Sequence, residues 1–402
     1  MRTASIAPSA EVSRSRSSGK LALLALAVSA FGIGTTEFVP VGLLQAISDD
    51  LNIGITIAGL LISSYAIGVA VGAPILTALT NRVPRKTLLM SLMVVFMIGN
   101  AAAALSSSFG ALLIARFVTA FSHGVFFSIG STIAVQLVPK EKQASAIALM
   151  FTGLTVATVT GVPLGTYIGQ SFGWRATFWG VAALGAVGFA ASARLIPSDL
   201  KQAPPSRFSD MFRIAGNGRL LTGFAITALG YGGTFVAFTY LTPILQDVLK
   251  LNPHTVGIIL LAYGVAVAIG NEIGGRWANR DPLRALRAMF VLQSVVLVAM
   301  SFMIPYRTAG LIAIALMGLF AFMNVPGLQL YIVKLAERYV PSAVDVASAL
   351  NIAAFNLGIA IGSITGGLVV DHLGLKHTAW VGGAIVALAV VLTSVSYRLE
   401  RK

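Results

Sequence analysis

From Leu21 onward the chain runs through long apolar stretches separated by short polar breaks, too many and too long to be the core helices of a soluble domain. A helix needs roughly 20 apolar residues to cross about 30 Å of hydrocarbon. Stretches of that size fall near 21–45, 55–80, 87–106, 110–136, 145–170, 176–196, 220–245, 254–278, 288–305, 309–333, 346–370 and 378–397. The pattern predicts an all-α membrane protein with twelve transmembrane helices.

The stretches also repeat. "GLLISSYAIGVAVGAPILTALTNRVPRK" from Gly59 aligns with "GIILLAYGVAVAIGNEIGGRWANRDPLR" from Gly257 at an offset of 198, pairing Tyr65 with Tyr263, Gly72 with Gly270 and Pro84 with Pro282. At an offset of 201, Gly161, Gly165, Gly173 and Trp179 meet Gly362, Gly366, Gly374 and Trp380. Six spans followed by six in the same orientation form a parallel repeat. Residues 197–219 are polar, proline-bearing and basic, and read as a cytoplasmic linker. The expected organisation is a disordered tail over 1–19, an N-terminal six-helix bundle over 20–196, the linker, a C-terminal bundle over 220–397 and a short tail over 398–402. Two like bundles facing each other enclose a cavity at mid-membrane, and rocking exposes it to each side in turn. Such a design suits a transporter working as one chain, with the lipid bilayer, protons and a small-molecule substrate as its partners.

Composition agrees with this picture. Hydrophobic residues make up 56% of the chain and charged ones 10%, against about 25% charged in soluble domains. A net charge of +14 would suit a nucleic-acid ligand, but its placement argues otherwise. Of the 28 Lys and Arg residues only Arg175, Lys250, Arg307 and Lys376 fall on outer segments and Arg116 and Arg276 inside spans. The rest lie on cytoplasmic segments and span ends, as the positive-inside rule demands of a multi-pass inner-membrane protein with both termini in the cytoplasm. "LALLALAVSA" at 21–30 has the look of a signal-peptide core, yet the apolar helix continues to Leu44, which argues against cleavage. Zero cysteines exclude disulfides and thiolate–metal sites. His254, His372 and His377 lie near outer span ends, and no phosphate-cradling loop, metal cluster or nucleophile–base set is evident. Neither an enzyme nor a cofactor is expected.

Three local motifs carry further meaning. The loop after the second span reads "TALTNRVPRK" and its repeat carries Asn279-Arg280. The fifth span, "GLTVATVTGVPLGTYIGQ", places Gly153, Ala157, Gly161, Gly165 and Gly169 at every fourth position, a flat face that a partner helix can approach closely, with Pro163 breaking the backbone bonding beside it. The fourth span, "ARFVTAFSHGVFFSIG", carries Arg116 and His123 seven residues apart on one helix face. Glu272 and Arg276, four apart in the eighth span, suit a local ion pair.

Over about residues 20–397 these features resemble the major facilitator superfamily. Within it they resemble the twelve-span drug:proton antiporter group, on the branch of sugar-efflux and chloramphenicol-resistance exporters. The resemblance implies a major facilitator fold and the export of a small neutral or amphipathic solute in exchange for protons. It implies a gating role for the loop residues Asn81, Arg82 and Arg85, with Asn279 and Arg280 in the repeat, as a cytoplasmic latch. Asn81 stands where the family carries an aspartate, so charge pairing there is weakened or replaced by hydrogen bonds. Gly161, Pro163 and Gly165 match the antiporter motif of the fifth span, with Val162 intervening as in the sugar-efflux branch. Arg116 matches an intramembrane arginine implicated in proton transfer. Import or uncoupled facilitation of a sugar or nucleoside fits the same fold, and a membrane receptor fits less well because the tails are too short for a signalling domain.

"FGIGTTEFVPVG" then poses the sharpest question, because Glu37 is the only charged residue between Lys20 and Asp49. Counted from the outer boundary, Glu37 and Arg116 fall at similar depth, which suggests an ion pair, direct or through water. In the repeat, Glu37 aligns with Tyr240 and Arg116 with Leu316, so neither charge is a packing need of the fold. Low dielectric favours a neutral acid and a nearby cation favours the anion. A carboxylate whose surroundings change between conformations can therefore carry protons, and Glu37 with Arg116 is the expected coupling pair. Expected substrate contacts are His123, Tyr240, Asn324 and Asn356.

Overall fold

A computed structural model describes residues 10–53, 55–80, 82–200 and 208–400. Its helices in the N-terminal half are α1 (Ala10–Asp50), α2 (Ile55–Leu79), α3 (Arg85–Leu105), α4 (Phe109–Gln136), α5 (Gln143–Val156), α6 (Val162–Phe172) and α7 (Trp174–Leu195). After the short α8 (Phe208–Ala215) come α9 (Gly218–Phe238), the single turn α10 (Leu241–Pro243), α11 (Pro253–Ala278), α12 (Pro282–Met303), α13 (Arg307–Ala321), α14 (Val325–Tyr339), α15 (Val344–His372) and α16 (Thr378–Glu400). Among the described residues, twelve segments are long and apolar enough to cross a membrane. The all-α, twelve-span fold expected from the apolar pattern is the one found.

Local chemistry sets the helix ends. Ser108 caps α4 by accepting from the Ala111 amide at 3.3 Å, and Asn252 and Asp281 cap α11 and α12 in the same way. Two details depart from the expected spans. The tail expected over 1–19 is helical from Ala10, where it extends the hydrogen-bond ladder of α1; residues 1–9 lie outside the described residues. The tenth span is not one helix but α13 and α14, interrupted at 322–324. Pro326 in the first turn of α14 explains the break, since proline lacks an amide hydrogen and clashes with the preceding turn. Within the linker, α8 is tied to the C-terminal half by Ser342, whose hydroxyl donates to Asp210 at 3.1 Å.

The glycine rows do in the structure what their spacing suggested. A Cβ at Gly153 would strike the Ala27 carbonyl oxygen, and those at Gly165 and Gly169 would strike Val39 and Leu43, so α5 and α6 lie flush on α1. In the C-terminal half Gly358, Gly362 and Gly366 of α15 press on the backbone of α9 around Ala228, Gly232 and Val236. Both rows replace side-chain bulk with backbone contact, the usual means of close packing in lipid. At the outer surface Asp50 accepts from Arg175 Nη1 at 2.6 Å and from Trp174 Nε1 at 3.1 Å, joining α1 to α7. Those bonds hold its carboxyl below the usual carboxylate range.

Between the halves, α5 packs on α11 and α14, while α2 and α4 pack on α15. The hydrogen bonds described across this seam sit towards its cytoplasmic end. Arg85 donates twice to Asp345 at 2.8 and 3.1 Å. Ser128 Oγ donates to the Asp345 carbonyl, and Ser348 Oγ to the Ser128 carbonyl. Asn279 brackets Ser145, accepting from its amide at 3.1 Å and donating to its hydroxyl at 2.8 Å, and Asn271 donates to the Ala148 carbonyl at 2.8 Å.

Candidate functional site

Above that seam lies a cavity of about 600 Å³ shared by the two halves. Its wall reaches Ile62 on α2 and Gly257 on α11, towards the outer ends of those helices, so the hollow faces outward while the cytoplasmic end is held together. Aromatic and aliphatic side chains make up most of the wall.

Glu37 lines the cavity, with a side chain 18% exposed. Its Oε2 lies 3.8 Å from His123 Nδ1 on α4, and the Tyr65 hydroxyl on α2 lies 3.2 Å from the same nitrogen. Arg116, seven residues before His123 on α4, is 1% exposed and does not line the cavity. Its Nη1 donates to the Thr36 carbonyl at 2.5 Å and its guanidinium covers the Tyr65 ring at 4.1 Å. Thr36 in turn donates through Oγ1 to Asn100 Oδ1 at 2.6 Å, and Asn100 donates to the Phe96 carbonyl, so α1, α3 and α4 are fastened at this level.

The direct Glu37–Arg116 ion pair expected from equal depth is therefore not formed. Arg116 does reach the level of Glu37, but it meets the backbone of the preceding residue, because successive helix side chains point about 100° apart. Nε and Nη2 of Arg116 are buried without a hydrogen-bond partner, which leaves the cation only partly satisfied in this conformation.

The other expected contacts divide. His123 and Asn356 line the cavity. Tyr240 does not: its ring lies over Gly366 and Gly367 of α15, its hydroxyl donates to the Ser363 carbonyl at 3.4 Å, and its neighbour Thr239 faces the cavity instead. Asn324 does not either. It is fully buried at the break between α13 and α14, where its amide donates to Gln293 Oε1 at 3.0 Å.

Of the expected latch, Asn81 lies outside the described residues, and Arg82 and Arg280 are exposed. Arg85 and Asn279 make cross-half contacts, and the charge pairing thought weakened by Asn81 is carried by Arg85 with Asp345, in the first turn of α15. Glu272 and Arg276 form the local pair expected, at 3.0 Å. Gly161 packs on Thr35 of α1, where a Cβ would come within 2.9 Å of its hydroxyl, and Gly165 packs on Val39. Pro163 lines the cavity just after a π-helical turn over Ala157–Gly161. The same turn sets Thr158 and Val159 into the wall, with Val159 filling the space left by Gly264 across the seam.

Sequence reasoning missed Tyr65, Asp345 and the π turn. Tyr65 stood out only as a repeated tyrosine, and the one signal that could have found Asp345 is an acid at a cytoplasmic span end rich in cations.

The comparisons with known proteins agree with this architecture. The chain is 60% identical over 381 residues to the uncharacterized MFS-type transporter YtbD of Bacillus subtilis (strain 168), covering 95% of this chain and 96% of that one. It is 37% identical to the inner membrane transport protein YdhP of Escherichia coli (strain K12), over 94% and 96%. The chloramphenicol resistance protein of Streptomyces lividans is 32% identical, over 92% and 95%. Among solved structures, the human organic anion transporter MFSD10 superposes with a TM-score of 0.75 at 15% identity, over 94% of this chain and 99% of that one, a likeness of fold. The Major Facilitator Superfamily pattern matches residues 24–344 and again 224–402, the second match echoing the internal repeat. The chain is thus a multi-pass membrane transporter rather than an enzyme, and it belongs to the Major Facilitator Superfamily.

Proposed function

We propose that the chain exports a small apolar or amphipathic solute across the inner membrane in exchange for protons, with Glu37 as the proton carrier. One observation carries this reading: among the described residues, Glu37 is the only one with a formal charge on the wall of an otherwise largely apolar cavity shared by both halves. In the outward-facing arrangement Glu37 takes a proton and solute leaves. Once the halves rock over, the proton passes to the cytoplasm and solute enters. Proton and solute exclude each other, which makes the exchange obligatory. His123 and Tyr65, both at hydrogen-bonding range of one another beside the carboxylate, order its surroundings. The names of the chloramphenicol resistance protein and of a probable sugar efflux transporter, 30% identical, support the outward direction.

The test is transport in everted vesicles with an imposed pH gradient. E37Q is expected to bind solute and fail to accumulate it. Normal accumulation by E37Q would remove Glu37 from the mechanism.

A further inference from the structure

Along α11 the residues that face away from the protein recur at every fourth position: Val265, Ile269, Ile273 and Trp277 are all exposed. The other faces of the helix are taken. Asn271 and Asn279 bond to Ala148 and Ser145 of α5, and Gly270 and Gly274 press on the backbone of Leu319 and Met323. The exposed row is therefore the lipid-facing side of the span Thr255–Ala278. Glu272 and Arg276 stand on that same side, with side chains 38% and 74% exposed. The matching positions of the N-terminal half hold Pro74 and Ala78, so the pair is not a packing need of the fold.

Charged side chains in a span ordinarily turn inward, because hydrocarbon offers them no partners. Here a lipid headgroup is within reach. The span has 24 residues and is about 36 Å long, more than the roughly 30 Å of hydrocarbon, so its last turns enter the headgroup layer on the cytoplasmic side. Exposed Trp277 takes the place usual for an indole at that boundary. A single hydrogen bond joins the pair, from Arg276 Nε to Glu272 Oε1 at 3.0 Å. Nothing else among the described residues bonds to either side chain, which leaves the two terminal nitrogens of Arg276 and Oε2 of Glu272 for a ligand. A guanidinium fork suits a phosphate, and a carboxylate oxygen suits an ammonium.

We infer that this face of α11 binds a phospholipid of the cytoplasmic leaflet whose headgroup joins a phosphate to a primary ammonium. The phosphate sits on Arg276, the ammonium on Glu272, and the acyl chains run along Ile269 and Val265. Each charge of the headgroup meets its opposite on the helix, and neither partner carries net charge. An anionic headgroup would bring nothing positive to Glu272, and a quaternary ammonium has no N–H to donate. The site is apart from the cavity and does not depend on the role of Glu37. The same turns of α11 hold Asn271 and Asn279 against α5 on their other side, so the lipid lies beside the seam between the halves.

The experiment is native mass spectrometry of the purified, delipidated full-length chain, offered phosphatidylethanolamine, phosphatidylcholine or phosphatidylglycerol with the same acyl chains. Phosphatidylethanolamine is expected to bind about tenfold more tightly than either of the others, the effect of one charge-assisted contact. E272Q is expected to bring the ratio of phosphatidylethanolamine to phosphatidylcholine close to one, while E272D, which keeps the charge, retains part of it. R276Q is expected to weaken both lipids several-fold. Free phosphoethanolamine at the same concentration is expected to leave the bound lipid in place, since it lacks chains for the apolar row. The melting temperature of each variant reports its fold, and the ranking of the three lipids on the parent chain decides the matter even where a variant does not fold. Absence of bound lipid, phosphatidylcholine or phosphatidylglycerol as tight as phosphatidylethanolamine, a ratio that survives E272Q, an R276Q variant that binds like the parent, or displacement by free phosphoethanolamine would each overturn the inference.

Discussion

The N-terminal and C-terminal halves share a scaffold and differ in chemistry. Each has a glycine row that lets one helix lie flush on another, α5 and α6 on α1 in the first half and α15 on α9 in the second. Each contributes a tyrosine to the cavity at the matching position of the repeat, Tyr65 and Tyr263. Around Tyr65 gather His123, Arg116 and, through His123, Glu37. Tyr263 instead stacks on Phe238, with ring centres 5.3 Å apart and an angle of 18°. Where the first half has ionisable groups, the second has neutral amides: Gln293 with Asn324, and Gln329 with Asn351 and Thr227. On the exchange proposed above, the repeat would serve the rocking motion and be kept symmetric, whereas proton binding would draw on the ionisable groups of one half alone.

Replacing Arg116 with the leucine found at the matching position of the second half is the strongest way to break the contrast. R116L leaves the Thr36 carbonyl without its charged donor and Glu37 without a nearby cation. Loss of about 3 kcal/mol from such a buried arrangement corresponds to roughly a hundredfold fall in rate, read as proton-driven export from everted vesicles. Export within a fewfold of the parent would show that the cation is structural ornament.

A smaller effect is expected from the paired tyrosines. Y65L removes the partner of His123 and the ring beneath Arg116, whereas Y263L removes an apolar stack. Losing one cation–π contact and one buried hydrogen bond costs about 2 kcal/mol, so Y65L should lower export at least about tenfold and also shift its pH profile. Y263L should change apparent affinity and leave the shape of the pH profile as it was. Equal shifts in both variants would mean that the halves share the proton chemistry after all.

The twelve spans, the repeat and the orientation were legible because each is written as composition over many residues, where single errors average out. The site was legible only in part. Equal depth for Glu37 and Arg116 could be counted along the chain, but the direction each side chain takes could not, and a shift of one residue turned an ion pair into a bond to the Thr36 carbonyl. Tyr240 and Asn324 stand off the cavity wall in this conformation for the same reason: both have the polarity of a binding residue, and neighbouring backbone absorbs the first while Gln293 absorbs the second. The π turn over Ala157–Gly161 and the break at 322–324 each turn the wall locally, and a run of apolar letters carries no mark of either beyond Pro163 and Pro326.

The same asymmetry extends to the cytoplasmic seam, where it can be tested with the mildest perturbation. One contact there is charged, Arg85 with Asp345, whose side chains are 5% and 13% exposed. Its counterpart across the seam is neutral, Asn279 with Ser145. Both are made in the outward-facing arrangement, so weakening either favours the opposite one. Charged hydrogen bonds are worth about 1.5–3 kcal/mol and neutral ones about 1, and water recovers part of each when the seam opens. D345N should therefore lower the outward-facing population about fivefold, and N279A about twofold. The chain has no cysteine, so a single L261C on the outward-reaching wall reports that population directly through its rate of labelling by a thiol reagent added from outside. A larger fall in labelling for D345N than for N279A is the expected order. The reverse order, or no change in either variant, would mean that apolar packing of α5 and α2 against α11 and α15 closes the seam unaided and that the charge at Arg85 serves only to orient the chain in the membrane.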